Sequence, residues 1–534
     1  MHLCARTALT AALAALLAAC GGDRQSNVGG ATVVAALRSD FSGFNTITNS
    51  AQYTNEVMNY ALFTPLVQYD DNLQVRPWLA ESWELLGDTA VVFHLRADVH
   101  WHDGRPLTAA DVKFTFDMAK TPETASLLGS AFLSDVAAAE VLDSLTIRFS
   151  FARPHAQALE DFWWAPMPQH LLEGIAPAEL RNAPFNRAPV GSGPFRFVEW
   201  RANERVVLER NPDFPEGLGG PAAAQRIVLR IVPEVSTLLT ELFTGGIHVD
   251  IDVMPDQTAS IEQRSGDARL HAFPGRTVYY IGWNNARAPF DDARVRRALA
   301  QAVNRQEIID ALLKGHGVIS TSTIPPWHPL HPGNIEPLAY DTAAAATLLS
   351  AAGWTDRNGD GMRENAGGQP LRFVLLASDD PLRRSVVEVV QAQLRRVGVQ
   401  VDVRVIEFQT MLQQHRNREF DAVFTNWVID NFQVASSPFS LLHSSQADVP
   451  RSANRSSVRD QRLDALIDAG RSATDPSEQR RIWREFTEVL QEEQPLTFLF
   501  WIEELAASSQ RLDGVSMDPR GEFMTIHDWS LGAR

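Results

Sequence analysis

The stretch LRFVLLASDDPLRRSVVEVVQAQLRRVGVQVDVRV (residues 371–405) decides the fold class of this chain. It opens with a continuous apolar run that is typical of a buried strand, and it closes with valines that alternate with other residues. Between these segments, apolar side chains recur at helical spacing until Gly398 ends the pattern. A strand, a helix and a strand in this order predict a right-handed crossover between parallel strands. FDAVFTNWV (420–428) adds another strand, so this part of the chain is predicted to be α/β.

The segment TAVVFHLRADVHWHDG (89–104) predicts a second kind of unit, because its apolar residues alternate as in a half-buried strand. The dipeptide Asp103-Gly104 is a turn signal. A helix is expected over 107–120, where Thr108 and Asp111 have the spacing of a capping box.

Two further segments have clear patterns. Residues 194–214 contain two apolar runs around the polar residues 201–204, which predicts a β-hairpin. Residues 291–315 carry apolar side chains at helical spacing and end at Gly315, so we expect one amphipathic helix there. Strands and helices therefore alternate along most of the chain.

The N-terminus has the features of an export signal. MHLCARTALTAALAALLAAC (1–20) contains one early arginine, an apolar run too short to span a bilayer, and small residues at its end. Leu17-Ala18-Ala19-Cys20 is similar to the lipobox of bacterial lipoproteins. That resemblance implies a signal peptide at 1–19 and a lipidated Cys20. Residues 20–30 are rich in glycine and polar residues, and they are predicted to form a flexible tether.

Composition indicates a globular protein and argues against nucleic acid as a partner. The formal net charge is −17, with 45% hydrophobic and 21% charged residues, which is typical of a globular protein. An acidic chain without a basic cluster argues against binding to nucleic acid. The two cysteines are Cys4 and Cys20, so once the signal peptide is cleaved and Cys20 is acylated, no thiol would remain for a disulfide. Core packing alone is then expected to stabilise the exported protein.

Five blocks, in this order, resemble the peptide-type (cluster C, family 5) extracytoplasmic solute-binding proteins of ABC importers, such as the dipeptide- and oligopeptide-binding lipoproteins. They are LFTPLVQYDDNLQVRPWLAESWEL (62–85), VFHLRADVHWHDGRPLTAADVKFTF (92–116), PVGSGPFRFVEW (189–200), ERNPDF (209–214) and PFDDARVRRALAQAVNR (289–305). The resemblance implies the α/β fold of type II periplasmic binding proteins, with two lobes, mixed sheets and a hinge that the chain crosses twice. It places lobe one at 31–277 plus 497–534, an inserted subdomain at 63–189 and lobe two at 278–496.

The same resemblance implies a function. It predicts a lipoprotein of the periplasm or cell surface that captures a small peptide in the interlobe cleft and delivers it to an ABC permease of the cytoplasmic membrane. We expect a monomer that is not an enzyme, needs no cofactor and is anchored to the membrane through Cys20. A non-peptide solute, such as a metal complex, haem or an oligosaccharide, is the alternative ligand for the same fold.

The resemblance also implies the ligand-binding residues. Trp427-Val428-Ile429-Asp430 matches the Trp-x-x-Asp of the family, whose aspartate pairs with the α-ammonium of a peptide. A carboxylate in a closed cleft can accept a charge-assisted hydrogen bond from an ammonium group. We therefore predict that Asp430, Trp427 and Asn426 bind the ligand. Two departures are present: the Asp-Pro pair that often follows the aspartate is absent, and Phe424 occupies the strand in which some members place an arginine for the ligand carboxylate.

Other motifs could suggest different chemistry. His100 and His102 would lie on one face of a strand and could bind zinc, which with Asp103 would make the chain a secreted metal-dependent hydrolase. No third or fourth ligand is identifiable, so we predict packing and turn roles and no metal site. A lipoprotein with a chaperone role is a second alternative. DRNGDGMRENAGG (356–368) begins like a calcium loop, but Gly367 replaces the glutamate of position twelve, so a polar turn is expected.

Overall fold

The structure is a computed structural model, and it describes residues 31–49, 51–154, 158–234, 237–333, 335–429, 432, 436–449 and 452–532. The predicted signal peptide at 1–19 and the tether with Cys20 lie outside the described residues. The predicted ligand-binding residue Asp430 also lies outside them. Among the described residues, no helix combines the length and the apolar character that crossing a bilayer requires.

The strands are numbered in chain order. They are β1 (Thr32–Leu37), β2 (Val67–Tyr69), β3 (Val75–Pro77), β4 (Ala80–Leu85), β5 (Ala90–Leu95), β6 (Val136–Asp143), β7 (Thr146–Phe151), β8 (Phe195–Arg201), β9 (Arg205–Arg210), β10 (Arg226–Ile231), β11 (Val249–Asp250), β12 (Ala268–Trp283), β13 (Gly317–Ile319), β14 (Arg372–Ser378), β15 (Gln400–Ile406), β16 (Ala422–Val428), β17 (Leu496–Ser509), β18 (Leu512–Asp513) and β19 (Ser530–Leu531).

The α-helices are numbered in the same way. They are α1 (Gln52–Val57), α2 (Ala109–Lys120), α3 (Gln169–Leu172), α4 (Leu238–Thr244), α5 (Thr258–Gln263), α6 (Ala293–Gln301), α7 (Arg305–Leu312), α8 (Thr342–Ala351), α9 (Pro381–Arg395), α10 (Phe408–Arg416), α11 (Ser436–Leu442), α12 (Gln461–Ser472) and α13 (Pro476–Glu493). The turn Met58–Leu62 continues α1 as a π-helix.

A mixed sheet of eleven strands runs through the molecule. Its order is β15-β14-β16-β12-β17-β11-β1-β10-β9-β8, with β13 paired to β17 at one side. The two longest strands, β12 and β17, lie side by side in the middle and run antiparallel. Strands on one side of this pair come mostly from the first half of the chain, and strands on the other side come from the second half.

We expect the hinge where β12 and β17 lose their regular register. Their pairing shifts between Pro274 and Val278, so each long strand has one segment in either half of the sheet. A Cβ atom at Gly275 would lie 2.5 Å from the carbonyl oxygen of Ile502, which explains why glycine stands at this crossing. The domain bounds expected from the resemblance stay a prediction.

The stretch that decided the fold class forms the predicted unit. Strand β14 pairs in parallel with β15 and also with β16, and α9 connects β14 to β15. The helix buries Val386, Val390 and Leu394 against the sheet. Asp380 caps its first turn by accepting a hydrogen bond from the Arg383 backbone N–H at 3.0 Å. The predicted α/β fold class is confirmed.

A separate four-stranded antiparallel sheet, of order β4-β5-β7-β6, lies within the first half. Helix α2 packs on it, and its predicted capping box is present: the Thr108 backbone N–H donates to Asp111 at 3.0 Å. The hairpin predicted at 194–214 is also confirmed, because β8 and β9 pair antiparallel. Asn203 in its turn adopts a φ of 57°, a conformation that asparagine tolerates well.

The single helix predicted at 291–315 is wrong. The segment forms two helices, α6 and α7, that are separated at Ala302–Asn304. Asn304 has an extended backbone, and its side chain accepts a hydrogen bond from the Glu307 N–H at 3.1 Å. An asparagine in this role starts a new helix rather than continuing the old one, because its side chain replaces a helical backbone partner.

Candidate functional site

The candidate site is a cavity where the two halves of the molecule meet at the hinge, with about 510 Å³ of empty space when the part open to solvent is included. Helix α1 and the turn after it contribute amide and tyrosine side chains, including Asn59 and Tyr60, and β2 contributes Gln68 and Tyr69. Arg276 at the hinge and Phe432 from the second half complete the wall. Clefts between lobes are common sites for small ligands.

A buried ion pair forms the hinge side of the cavity. Arg276 donates to Glu56 at 2.5 Å, and both side chains are less than a tenth exposed. The other Glu56 oxygen accepts a hydrogen bond from the Glu522 backbone N–H at 2.9 Å. The pair therefore connects α1, the hinge strand β12 and the C-terminal segment.

Carboxylates outnumber basic groups at this hinge cluster of Glu56, Arg276, Glu504 and Glu522. Burial, together with the nearby charges of Asp252 and Glu56, raises the pKa of Glu504 to about 7. Burial and the charges of Glu56 and Glu504 raise the pKa of Glu522 well above its usual range. A proton on Glu504 or Glu522 relieves the repulsion between the carboxylates, which Arg276 alone cannot balance. The protonation of the hinge cluster is therefore expected to change with pH near neutrality.

Aromatic contacts also connect the two halves beside the cavity. The ring of Phe432 lies 4.6 Å from that of Tyr69 and 5.9 Å from that of Trp327. The backbone carbonyl of Phe432 lies 3.0 Å from Nε2 of His328. Trp327 donates its indole N–H to the carbonyl oxygen of Gly275 at 2.9 Å. Phe432 is thus packed on the first half, as in a closed cleft.

The predicted residues Asn426 and Trp427 lie at the end of β16, and they point to opposite faces of the sheet. Asn426 accepts a hydrogen bond from Arg383 at 2.5 Å, and Trp427 donates to Ser437 at 2.9 Å. Neither lines the cavity described above. Their contact with a ligand stays a prediction, as does that of Asp430, which lies outside the described residues.

Phe424, which stands where some relatives of the predicted family have an arginine, belongs to the core. It is fully buried and stacks on Tyr279 at 5.6 Å. A cationic group is nevertheless present at this end of the sheet: Arg383 lies beside the carboxyl ends of β14 and β16, where it also donates to Ser378 at 3.2 Å. It comes from the first turn of α9 rather than from a strand.

His102 is engaged entirely by the segment Gly191-Ser192-Gly193. Its Nδ1 accepts a hydrogen bond from the Gly191 N–H at 3.2 Å, and its Nε2 lies 3.0 Å from the Gly193 carbonyl oxygen. Burial lowers the pKa of His102 to about 4, so the ring is neutral at physiological pH. His100 is exposed, and Asp103 pairs with His170 at 2.8 Å.

The loop that begins like a calcium site is held by its own backbone. Asp356 accepts hydrogen bonds from the N–H groups of Gly359 and Gly361, and Asp360 accepts one from Met362. This is the pattern of a polar turn. Within the part of the chain that the structure describes, no three histidine, cysteine or acidic residues are grouped so that they could hold a metal ion.

Sequence reasoning missed most of the cavity wall. Tyr69 and Gln68 lie in the block at 62–85, which contributes to the family resemblance but predicts no binding role for them. Phe432 comes two residues after the predicted ligand-binding residue Asp430. Glu56 and Arg276 gave no signal, because they are 220 residues apart and meet only in the folded protein.

Comparison with known proteins identifies the family. Residues 74–448 match the model described as "Bacterial extracellular solute-binding proteins, family 5 Middle". The chain is 28% identical over 543 residues to "Oligopeptide-binding protein AppA" of Bacillus subtilis (strain 168), and this alignment covers 97% of each chain. It is 30% identical over 375 residues to "Nickel-binding periplasmic protein" of Escherichia coli (strain K12), covering 68% of this chain and 69% of that protein.

The fold agrees with a solved structure. The structure of AppA from Bacillus subtilis in complex with a nonapeptide superposes with a TM-score of 0.78 at 26% identity, covering 94% of this chain and 99% of that chain. The match over residues 74–448, the near full-length relative and the shared two-lobe architecture lead to one conclusion. This chain belongs to the bacterial extracellular solute-binding proteins of family 5.

Proposed function

We propose that this protein is a lipoprotein that captures a small peptide between its lobes and delivers it to an ABC permease of the cytoplasmic membrane. The observation that carries the proposal is the cavity at the hinge, whose wall is built from both halves and combines amide, tyrosine and tryptophan side chains. Such groups can bond to a peptide backbone while they cover its apolar parts. The proposal includes no catalytic step, and the protein acts as a monomer.

Asp430 is proposed to bind the α-ammonium of the peptide. Two described residues near Asp430 in the sequence lie close to the cavity: the Ile429 N–H donates to the Arg276 carbonyl oxygen at 3.0 Å, and Phe432 lines the cavity. The position of Asp430 in the sequence, between two residues with these contacts, supports a role in binding a ligand in the cavity. Binding would stabilise the closed state, because only that state brings contacts from both lobes to the ligand.

A peptide is preferred over a metal complex because two relatives that match more than nine-tenths of the chain are named as oligopeptide- and dipeptide-binding proteins, whereas a nickel-binding relative matches 68% of it. The ligand can be identified directly. Mass spectrometry of solutes released from protein purified from an exporting host should detect peptides. A released metal complex without any peptide would contradict the proposal.

Calorimetry with a double-mutant cycle tests the role of Asp430. Asp430→Ala should weaken binding of an alanine tripeptide by about thirtyfold or more, since removing one member of a buried charge pair costs ~2–5 kcal/mol. Acetylating the peptide N-terminus should have a similar effect, and the two changes together should cost little more than either alone. Asp117→Ala, at an exposed aspartate of α2, is the control and should bind normally. Additive losses would mean that Asp430 does not contact the ammonium group.

Membrane attachment is tested separately. Because Cys20 is the residue expected to be lipidated, Cys20→Ser should move the protein from the membrane fraction to the soluble fraction of the host envelope. Binding of the peptide should be unchanged, since the tether precedes the folded body. A Cys20→Ser protein that still sediments with membranes would show that attachment has another cause.

A further inference from the structure

A side compartment adjoins the hinge cavity. It has about 390 Å³ of empty space when the part open to solvent is included, and the two spaces share Asn55, Asn59 and Trp163 in their walls. Leu128 and Phe132 line its apolar side, and Thr46 and Trp164 also border it. A ligand that fills the hinge cavity can therefore extend into the side compartment.

The side compartment holds hydrogen-bond donors without acceptors. The indole N–H groups of Trp163 and Trp164 and the hydroxyl of Thr46 are buried, and none of them has a partner among the described residues. Trp164 is 1% exposed and Thr46 is 8% exposed, so water has little access to them. A buried donor without an acceptor is unfavourable, and three around one space indicate that a ligand supplies the acceptors.

The wall of the side compartment also carries no charge. None of the described residues that line it is ionisable, in contrast to the hinge cavity with Glu56, Arg276 and Arg520. Moving a charged group into such a place would remove its hydration without giving it a counter-ion. Neutral acceptors, such as an amide or a carbonyl oxygen, satisfy the donors without that cost.

We infer that the side compartment selects a ligand residue with a neutral side chain that bears a hydrogen-bond acceptor, as in glutamine or asparagine, and that it rejects acidic and basic side chains. The inference rests on the proposed function, which identifies the ligand as a peptide. It adds a side-chain preference at one position of that peptide. This preference depends on Thr46, Trp163 and Trp164 and not on Asp430.

The test uses alanine tripeptides in which the second or the third residue is Gln, Glu, Lys or Leu, measured by calorimetry. At one of the two positions, the Gln peptide should bind more than tenfold more tightly than the Glu and Lys peptides. Thr46→Val and Trp163→Phe should each weaken the Gln peptide about three- to tenfold at that position, because each removes one donor. The Leu peptide should change less than twofold.

Two controls accompany these variants. Thr46→Ser keeps the hydroxyl and should bind like the wild type. Trp101→Phe removes another buried indole N–H that has no described partner, but Trp101 borders neither cavity, so selectivity should be unchanged. The inference is overturned if Glu or Lys peptides bind as tightly as Gln at both positions. It is also overturned if Thr46→Val and Trp163→Phe weaken the Gln and Leu peptides equally.

Failure of the proposed function would be recognised separately. If no peptide binds and the co-purified solute is of another class, the peptide proposal fails, and Thr46→Val and Trp163→Phe are measured against that solute. The inference then still requires a neutral acceptor on the solute and a loss of at least threefold for each variant. Equal affinity of wild type and variants would overturn it.

Discussion

At the scale of single residues, charge balance governs the hinge. Arg276 is the basic group among Glu56, Glu504 and Glu522, and the pKa of Glu504 is raised to about 7 by burial and by neighbouring acidic groups. The folded protein therefore binds a proton at Glu504 that the unfolded chain has already released between about pH 4.5 and 7. In this range the stability contributed by Glu504 falls as pH rises, since the folded state holds more protons than the unfolded state.

Glu504→Gln should remove this dependence. Glutamine has nearly the shape of a protonated glutamate and does not ionise, so the variant should gain stability over the wild type as pH rises from about 5 to 7. Urea unfolding at several pH values measures the difference between the two proteins. Glu140→Gln, at an exposed glutamate paired with Arg148, is the control and should leave the pH dependence unchanged. A constant difference across this range would contradict the assignment.

His102 affects the same pH range in the opposite direction. Burial lowers the pKa of His102 to about 4, so the unfolded chain binds a proton that the folded state excludes, and stability falls as pH decreases from about 6.5 to 4. Comparing Glu504→Gln with the wild type at each pH separates the two effects, because both proteins retain His102.

At the scale of elements, close backbone contact determines how the segment 191–193 packs. The N–H groups of Ser192 and Gly193 both donate to the carbonyl oxygen of Leu62, at the end of the π-helical turn. The Ser192 hydroxyl accepts a hydrogen bond from the Thr64 N–H at 3.0 Å. These bonds bring two backbones together, and they explain why GSG occurs here without any phosphate or nucleophile chemistry.

Gly191→Ala should therefore destabilise the protein. A Cβ atom there would lie 1.9 Å from the Leu62 carbonyl oxygen, which is backbone and cannot rotate away. Overpacking of this kind typically costs about 1–3 kcal/mol, so we expect a loss of at least this size in urea unfolding. Gly174→Ala is the matched control, because no atom lies within 4 Å of its added Cβ, and it should change stability by less than about 0.5 kcal/mol. Equal stability of both variants would refute the packing argument.

At the scale of the whole molecule, an ion pair connects the two halves of the chain. Arg471 of α12 lies 3.3 Å from Asp135, just before β6 of the four-stranded sheet, and Arg153 pairs with the same aspartate at 2.8 Å. The Arg471 guanidinium also lies 4.0 Å from the centre of the Phe439 ring. A contact between lobes that exists only in the closed form shifts the equilibrium towards that form.

Asp135→Asn should therefore favour the open form. The pair is partly exposed, so its contribution is expected to be about 1 kcal/mol, which corresponds to a roughly fivefold loss of ligand affinity. Small-angle scattering without ligand should show a larger radius of gyration, while the urea midpoint stays nearly constant. Asp448→Asn breaks an exposed pair with Arg459 inside the second half and should leave both quantities unchanged. An affinity loss of the same size in both variants would argue against the interlobe role of Asp135.

The sequence by itself determined the elements and the family. Periodicity predicted β14, α9 and β15, spacing predicted the capping box at Thr108, and the five blocks predicted the family that the comparison over 74–448 confirms. These features depend on neighbouring residues in the chain, so a single sequence contains them. The predicted helix at 291–315 failed because the pattern did not reveal that Asn304 caps a second helix.

Only the tertiary structure decided which side chains face the ligand. Glu56 and Arg276 meet across 220 residues, and Thr46 reaches the compartment of Trp163 through the packing of distant segments. Alternation along a strand already puts Asn426 and Trp427 on opposite faces. Which surroundings each face meets depends on the register with β12 and on packing, and neither residue lines the hinge cavity. Long-range pairing in the sheet sets these positions, and local sequence patterns do not record it.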